Sequence, residues 1–401
     1  MIENESHNIT SITFLYPSRR VGGAQMLFIR LADELSRYED ISVNVVDFED
    51  GYLRSQLQSN SRINILNFKN ASVRIGFKTI LITPLSNLSD INNLVKGNKD
   101  HLNILFWCIQ PYNLQFALYY NGRKFFGKKE QVKKIVEHLS NDGNIIYMDE
   151  ANFLGVQEEL KTALKPHYIP IPLDLKVETI ERKKIENGML NIGWLGRISY
   201  DKVNSIIKVI DEIKSSSSQE KIVFHIIGDG EKKADLLAYL KESQIPYFLT
   251  GTLLADELNK YIDEHIDLAV SMGTSCMEFA ARKIPVFIID YSFHPMPDKI
   301  KYNWLFETQN YTLGSNIESA TNRNHSFEEL LDQYTVDKNL GQKCYNYVSQ
   351  NHDIKEVALK LIKHCRGLKQ IDPYKFANIQ RILNPLIYRF FYVLYRKIRD
   401  F

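Results

Sequence analysis

The sequence predicts an α/β protein built of two doubly wound, Rossmann-like domains that face each other across a cleft. Three observations carry that prediction. Short apolar runs alternate with amphipathic stretches along most of the chain, the pattern of βα units on a parallel sheet. The alternation breaks at residues 168–173 (YIPIPL), where two prolines in six residues exclude a helix interior, and then it starts afresh. The length of 401 residues exceeds what one core accommodates, about 250–300 residues, so two or three domains are expected.

The elements follow in order. Residues 11–16 (SITFLY) read as a strand and 17–23 as a loop. Ala24, Leu27, Phe28, Leu31 and Leu35 then recur at helical spacing. Strands are expected at 41–48, 63–68, 79–83, 103–108 and 145–148. After the proline segment, 190–195 is a strand, 202–214 a helix, 221–227 a strand and 231–243 a helix. Strands at 246–249, 266–270 and 284–290 alternate with helices at 256–264 and 275–282. The division expected is therefore 1–172 for a first domain, 173–370 for a second, and 371–401 for a helical tail. In doubly wound sheets ligands bind beyond the carboxyl ends of the strands, so chemistry is sought in the loops that follow strands.

Composition excludes several classes. A formal net charge of +2 makes no global field for nucleic acid, which is not an expected partner. Cys108, Cys276, Cys344 and Cys365 lack paired spacing and read as reduced thiols of a cytoplasmic protein, not as a disulfide or zinc framework. Residues 1–10 are polar and lack the apolar core of a secretory signal. No run approaches the roughly 18 apolar residues of a membrane span. No clustered carboxylates call for a metal.

Four loops carry candidate chemistry. In VGGAQ (21–25), Gly22 and Gly23 open a helix, where amides and the helix dipole favour an anion; the structural alternative is a tight turn needing positive φ. In GRISYDK (196–202), Arg197 leaves a strand end and Lys202 begins the next helix, so both cations can serve one diphosphate; the alternative is a surface Arg and Lys on a connecting loop. In GDGE (228–231), Asp229 and Glu231 suit a turn and a helix cap, while Gly228 suits the close approach of a ligand; Leu253 of the following GTL offers a wall for a base. In MGTSCME (272–278), Gly273, Thr274 and Ser275 put amides and hydroxyls at a helix start. Glu278 lies about one turn inside, where a carboxylate needs a partner. A ribose diol is one such partner and a capping box with Thr274 or Ser275 is the other.

Together these residues resemble the GT-B glycosyltransferases of family four and its relatives, over roughly residues 11–368 and most strongly over 190–290. The order GRxxxxK, GDGE and a helix glutamate matches that family's donor domain, and the MGTSxxE segment is similar to bacterial O-antigen and capsule transferases. The resemblance implies that Arg197 and Lys202 hold the donor diphosphate, that Glu278 holds the ribose, and that Gly273 to Ser275 meet phosphate or sugar. Gly22 and Gly23 would lie at the phosphate–acceptor junction, and Gln110 in WCIQP (107–111) would take the place of a family histidine. The substrate is then a nucleoside-diphosphate sugar, the acceptor a lipid-linked glycan, and no cofactor or metal is needed. One position departs: where many relatives carry a first glutamate in an EGFG loop, this chain has Val270. A retaining course is implied, since the leaving phosphate can take the acceptor proton. Rival readings are a sugar-nucleotide 2-epimerase on the same fold and a non-catalytic partner of a transferase.

Two patches suit the inner face of the cytoplasmic membrane. Residues 121–134 (NGRKFFGKKEQVKK) interleave six cations with Phe125 and Phe126, for which a plain solvated face is the alternative. In the tail, Asn384 and Pro385 suit a helix start. Leu386, Ile387, Phe390, Phe391, Leu394, Ile398 and Phe401 then fall on one face, opposite Arg389, Tyr392, Arg396 and Arg399. A closing helix packed on the first domain is the alternative.

Overall fold

The computed structural model describes residues 11–20, 22–97, 102–118, 129–175, 188–253, 255–320 and 322–368. The chain forms two compact units. The first runs to Pro172 and takes the chain up again from Ile354; the second is Leu173–Asp353.

In the first unit β1 (Ser11–Leu15), β2 (Ser42–Asp47), β3 (Ile63–Asn67), β5 (Thr79–Pro84), β7 (Leu102–Cys108) and β8 (Ile145–Tyr147) form one sheet in the order β3-β2-β1-β5-β7-β8. Every pairing in it is parallel. Two short strands, β4 (Val73–Arg74) and β6 (Val95–Lys96), pair apart from it. The connecting helices are α1 (Gly23–Leu35), α2 (Tyr52–Leu57), α3 (Ile91–Leu94), α4 (Asn113–Leu118), α5 (Lys129–Asn141) and α6 (Glu150–Leu160). All five residues of β1 are buried, as expected of a parallel strand covered on both faces. Leu27, Phe28, Leu31 and Leu35 of α1 are buried as their spacing predicts.

The second unit repeats the plan. Its strands are β9 (Leu190–Leu195), β10 (Ile222–Ile227), β11 (Tyr247–Gly251), β12 (Leu268–Ser271), β13 (Val286–Ile288) and β14 (Asn303–Trp304). They order β11-β10-β9-β12-β13-β14, and only the β14 edge is antiparallel. Helices α7 (Val203–Ser215), α8 (Lys233–Ser243), α9 (Ala255–His265), α10 (Thr274–Ala281), α11 (Phe327–Val336) and α12 (Leu340–Asn351) complete it. Its core centres on Trp194, Phe224, Phe287, Tyr302 and Trp304, with Phe287 5.4 Å from Tyr302. Truncating one such ring to alanine costs about 3–5 kcal/mol.

The last helix, α13 (Ile354–Arg366), corrects the expected division, which left residues up to 370 in the second domain. It belongs to the first unit, where it packs on α1. His364 Nε2 lies 2.7 Å from the Gly143 carbonyl, and Arg366 pairs with Asp40 at 3.1 Å. An amphipathic stripe states that a helix must dock but not on which core, so sequence order misled here. The tail at 371–401 and most of the basic patch, residues 119–128, lie outside the described residues. No described helix is long and apolar enough to cross a membrane.

Candidate functional site

In the second sheet the chain steps from β9 outward to β10 and β11, then returns to β12 on the other flank of β9. The connections diverge at the carboxyl ends of β9 and β12, which makes the crevice where doubly wound sheets bind ligands. Residues 196–202 leave β9 and residues 272–273 leave β12, so two of the four sequence candidates face the switch point.

The 196–202 loop is pinned by the GDGE segment. Gly196 N–H donates to Ile227 O at 3.0 Å, Ile198 N–H to Asp229 O at 2.9 Å, and Lys232 N–H back to Ile198 O at 3.0 Å. Gly228 has φ +148°, and a Cβ there would lie 2.0 Å from Gly196 O. What comes close to Gly228 is the neighbouring backbone, so packing by itself accounts for a glycine at this position. Asp229 caps no helix, because α8 begins at Lys233 with no side-chain cap. It accepts from Gly230 N–H at 2.8 Å, and its ion pair with Lys233 holds its pKa below the usual value. Glu231, exposed, accepts from the Tyr200 amide at 3.2 Å. The segment is a buttress. Leu253, half-buried, follows β11, two strands from β9.

On this frame Arg197 is exposed and Lys202 half-buried. The ammonium of Lys202 lies under the loop, 3.7 Å from where a Cβ on Gly196 would sit. Burial pushes its pKa down; Asp201 raises it, the Arg197 charge lowers it again, and Cys276 of α10 also acts on it. Those couplings bring Arg197, Lys202 and the start of α10 into one neighbourhood. Among the described residues neither cation forms an ion pair, and Asp201, near enough to raise the Lys202 pKa, accepts from Ser199 Oγ; two like charges stand together in a partly dry place, which an anion relieves.

Across the switch point, Gly273 is the N-cap of α10, with φ +64° and ψ −146° and no side-chain cap. Only glycine holds that conformation without strain, and no atom lies within 4 Å of where its Cβ would be. Ser271 Oγ donates to Leu195 O at 3.3 Å, tying β12 to the end of β9. Thr274, Ser275 and Cys276 are the first three helix positions, so Glu278 is the fifth. A capping-box glutamate occupies the third, and that reading of Glu278 falls. Val270 is fully buried within β12; only Met272 and Gly273 separate strand from helix, leaving no room for the longer loop of the relatives. No group of three His, Cys, Asp or Glu that could hold a metal is found among the described residues.

In the first unit the switch point lies between β1 and β5. Gly22, the N-cap of α1, has φ −174°, which any residue adopts, so the tight-turn explanation fails. A Cβ on Gly23 would meet nothing within 4 Å. Sequence reasoning missed what holds this loop. Asp47, fully buried at the end of β2, accepts from Ser18 N–H at 2.8 Å and from Arg54 N–H at 3.0 Å. Burial raises its pKa although backbone donors pull it down. A lone aspartate ending a strand carries no signal for such a role. Gln110 is exposed after β7, one strand beyond β5, on a turn closed by Asn113 Oδ1 accepting from its amide at 3.1 Å. Gly22, Gly23 and Gln110 thus share the carboxyl edge of the first sheet.

No protein-family profile matches the chain. Among curated sequences it is 20% identical over 262 residues to ribosomal RNA small subunit methyltransferase A of Mesoplasma florum, covering 55% of this chain and 90% of that protein. Similar solved structures span nearly the whole chain. A glycosyltransferase from Rickettsia africae superposes with TM-score 0.57 at 12% identity, covering 90% of this chain and all of that one. TarM of S. aureus, solved as a variant with fondaparinux, α-GlcNAc-glycerol and UDP, gives 0.55 at 13% identity over 89% of this chain and 99% of its own. HepE of Anabaena, with UDP and glucose, gives 0.54 at 14% identity over 90% of this chain and all of its own. These are GT-B glycosyltransferases, and the fold of this chain is GT-B, with two Rossmann-like domains.

Proposed function

We propose that this protein is a glycosyltransferase that moves a hexose-type residue from a nucleoside-diphosphate sugar to a growing, lipid-linked bacterial surface glycan such as O-antigen or capsule. The observation that carries the reading is the Arg197–Lys202 couple, which forms no ion pair among the described residues, across the switch point from the start of α10, which has no side-chain cap. Such a place suits a diphosphate, whose charge grows as the sugar departs. Arg197, Lys202 and the amides of Thr274 and Ser275 would stabilise that charge in a preorganised, partly dry site. Glu278 would accept from the ribose hydroxyls, with Leu253 beside the base. Gly22, Gly23 and Gln110 would serve the acceptor side. A retaining course follows if the leaving phosphate takes the acceptor proton, and the work would be done at the cytoplasmic membrane surface. RNA methyl transfer fits less well, because the net charge of +2 supplies no field for a polyanion.

Buried Val270 favours one second reading, a partner subunit that binds donor without turning it over. Measuring nucleoside-diphosphate release from a panel of sugar nucleotides, together with thermal shift by the free nucleotides, tests both. Binding with release supports the transferase, and binding with no release on any acceptor supports the partner. Isomerised donor without acceptor would mean an epimerase. A protein stabilised by no nucleotide would sink all three, since a ligand at a hundredfold excess over its Kd adds about 2.7 kcal/mol.

A further inference from the structure

The loop that opens α10 is held from behind by a turn at residues 309–315. Gly273 N–H donates to Leu313 O at 2.6 Å. Gly314, at φ +103°, has no space for a side chain, since a Cβ would lie 2.9 Å from Ile289 O and 3.1 Å from Met272 Cβ. At the far end Ser315 N–H donates to Asp290 Oδ1 at 2.7 Å, and buried Asp290 is held by Arg323 at 2.6 Å. The turn is wedged between the candidate donor loop and the end of β13.

This wedge is strained. Asn310 and Tyr311, successive non-glycine residues, have φ +48° and +63°, where the side chain crowds the backbone. The buried Thr312 Oγ1 has no hydrogen-bond partner among the described residues, a further cost. Glycine at position 311 would relieve the backbone, yet a large ring stands there. That ring packs edge-on against His352 at 5.9 Å. His352 is fully buried, and its carbonyl accepts the Leu173 amide at 2.7 Å, where the chain enters the second unit. Strain of this kind persists where surrounding structure over-determines it, and it gathers at functional sites.

We propose that Tyr311 is a positioning residue for the donor site: its ring, seated on His352, holds the strained turn whose Leu313 carbonyl sets Gly273 and the amides of Thr274 and Ser275. The donor half of this inference rests on the function proposed above; the mechanical half does not. Full-length Tyr311→Phe, Tyr311→Gly and Tyr311→Asn proteins test it, the last two both able to adopt the left-handed conformation without the ring. In the absence of ligand, hydrogen exchange of peptides over 268–277 should quicken about fivefold or more in the Gly and Asn variants. Peptides from β9 and β10 should not change, and the Phe variant, which keeps the ring, should stay closer to wild type than either ring-less variant. UDP affinity should fall about tenfold in the same two variants and be restored in the Phe variant. Unchanged exchange over 268–277 in both ring-less variants overturns the positioning role. Faster exchange with wild-type UDP affinity overturns its bearing on the donor. A wild type that binds no nucleoside diphosphate refutes the transferase, and the exchange comparison still decides the role of the ring.

Discussion

Lys202 is the residue whose chemistry is most specific. Its ammonium is driven below its ordinary pKa by burial, which outweighs the opposing pull of Asp201, and the nearby Arg197 charge pushes it further down. A charge held so is a liability to the empty protein and an asset to one holding an anion. We therefore expect Lys202→Met to raise the thermal stability of the free protein while cutting turnover on the order of a hundredfold, the scale of losing one preorganised charge stabiliser. Arg197→Ala should match that loss of turnover without the gain in stability, because its side chain is exposed. Glu278→Gln should weaken nucleoside-diphosphate binding with a smaller effect on the chemical step. Melting curves, nucleotide affinity and product release on these variants check the set. Wild-type turnover in both cation variants would falsify the diphosphate assignment. The cations were legible in the sequence because one follows a strand and the other opens a helix; the buttress that aims them was not, since the bonds from Gly196, Ile198 and Lys232 join segments about thirty residues apart.

At the scale of elements, β10 carries a buried histidine that ties the sheet to α9. His225 Nδ1 is 2.8 Å from Tyr261 OH and Nε2 is 3.0 Å from Asn191 Oδ1, while its ring stacks on Phe248 at 5.0 Å. Burial, and then His265, lower its pKa to about 4. In the unfolded chain it titrates near 6.5. Between those values the unfolded state binds the extra proton, so stability falls as pH drops from about 6.5 towards 4, by on the order of 3 kcal/mol. The contribution is intact above that window. His364 and His167 are also lowered by burial and act with the same sign, so His225→Gln should flatten the acid limb in part. Urea unfolding at several pH values between 7 and 4.5 reads this directly. Parallel limbs for variant and wild type would show that His225 does not govern it. Periodicity revealed β10 as a strand; it could not reveal which of its polar residues is enclosed, because Tyr261 and Asn191 reach it from other elements.

Each unit carries a six-stranded sheet, parallel but for the β14 edge, with a switch point and a glycine-bearing loop at the start of a helix. Near-neutral net charge leaves any attraction to an anionic membrane to local clusters, which is why the tail matters. Deleting residues 384–401 should lower recovery with vesicles containing anionic lipid more than it lowers activity on a soluble acceptor analogue. Each basic residue near such a surface contributes about 1 kcal/mol, so added salt should weaken binding of the intact protein. Co-sedimentation at low and high salt measures this. An insoluble truncated protein would instead mark the tail as part of the fold.

Sequence by itself determined the class of the fold, because alternation of buried strands and amphipathic helices is a local property written into consecutive residues. It also determined the loops worth watching, since a strand end followed by Gly, Arg or Lys is visible without coordinates. Tertiary structure decided the rest. It supplied the packing against Gly196 that requires glycine at 228, removed the capping-box role from Glu278, and gave α13 to the first unit. It also exposed the turn behind Gly273. Each of these depends on which distant backbone arrives beside a residue, and chain order does not encode that before the sheets have closed.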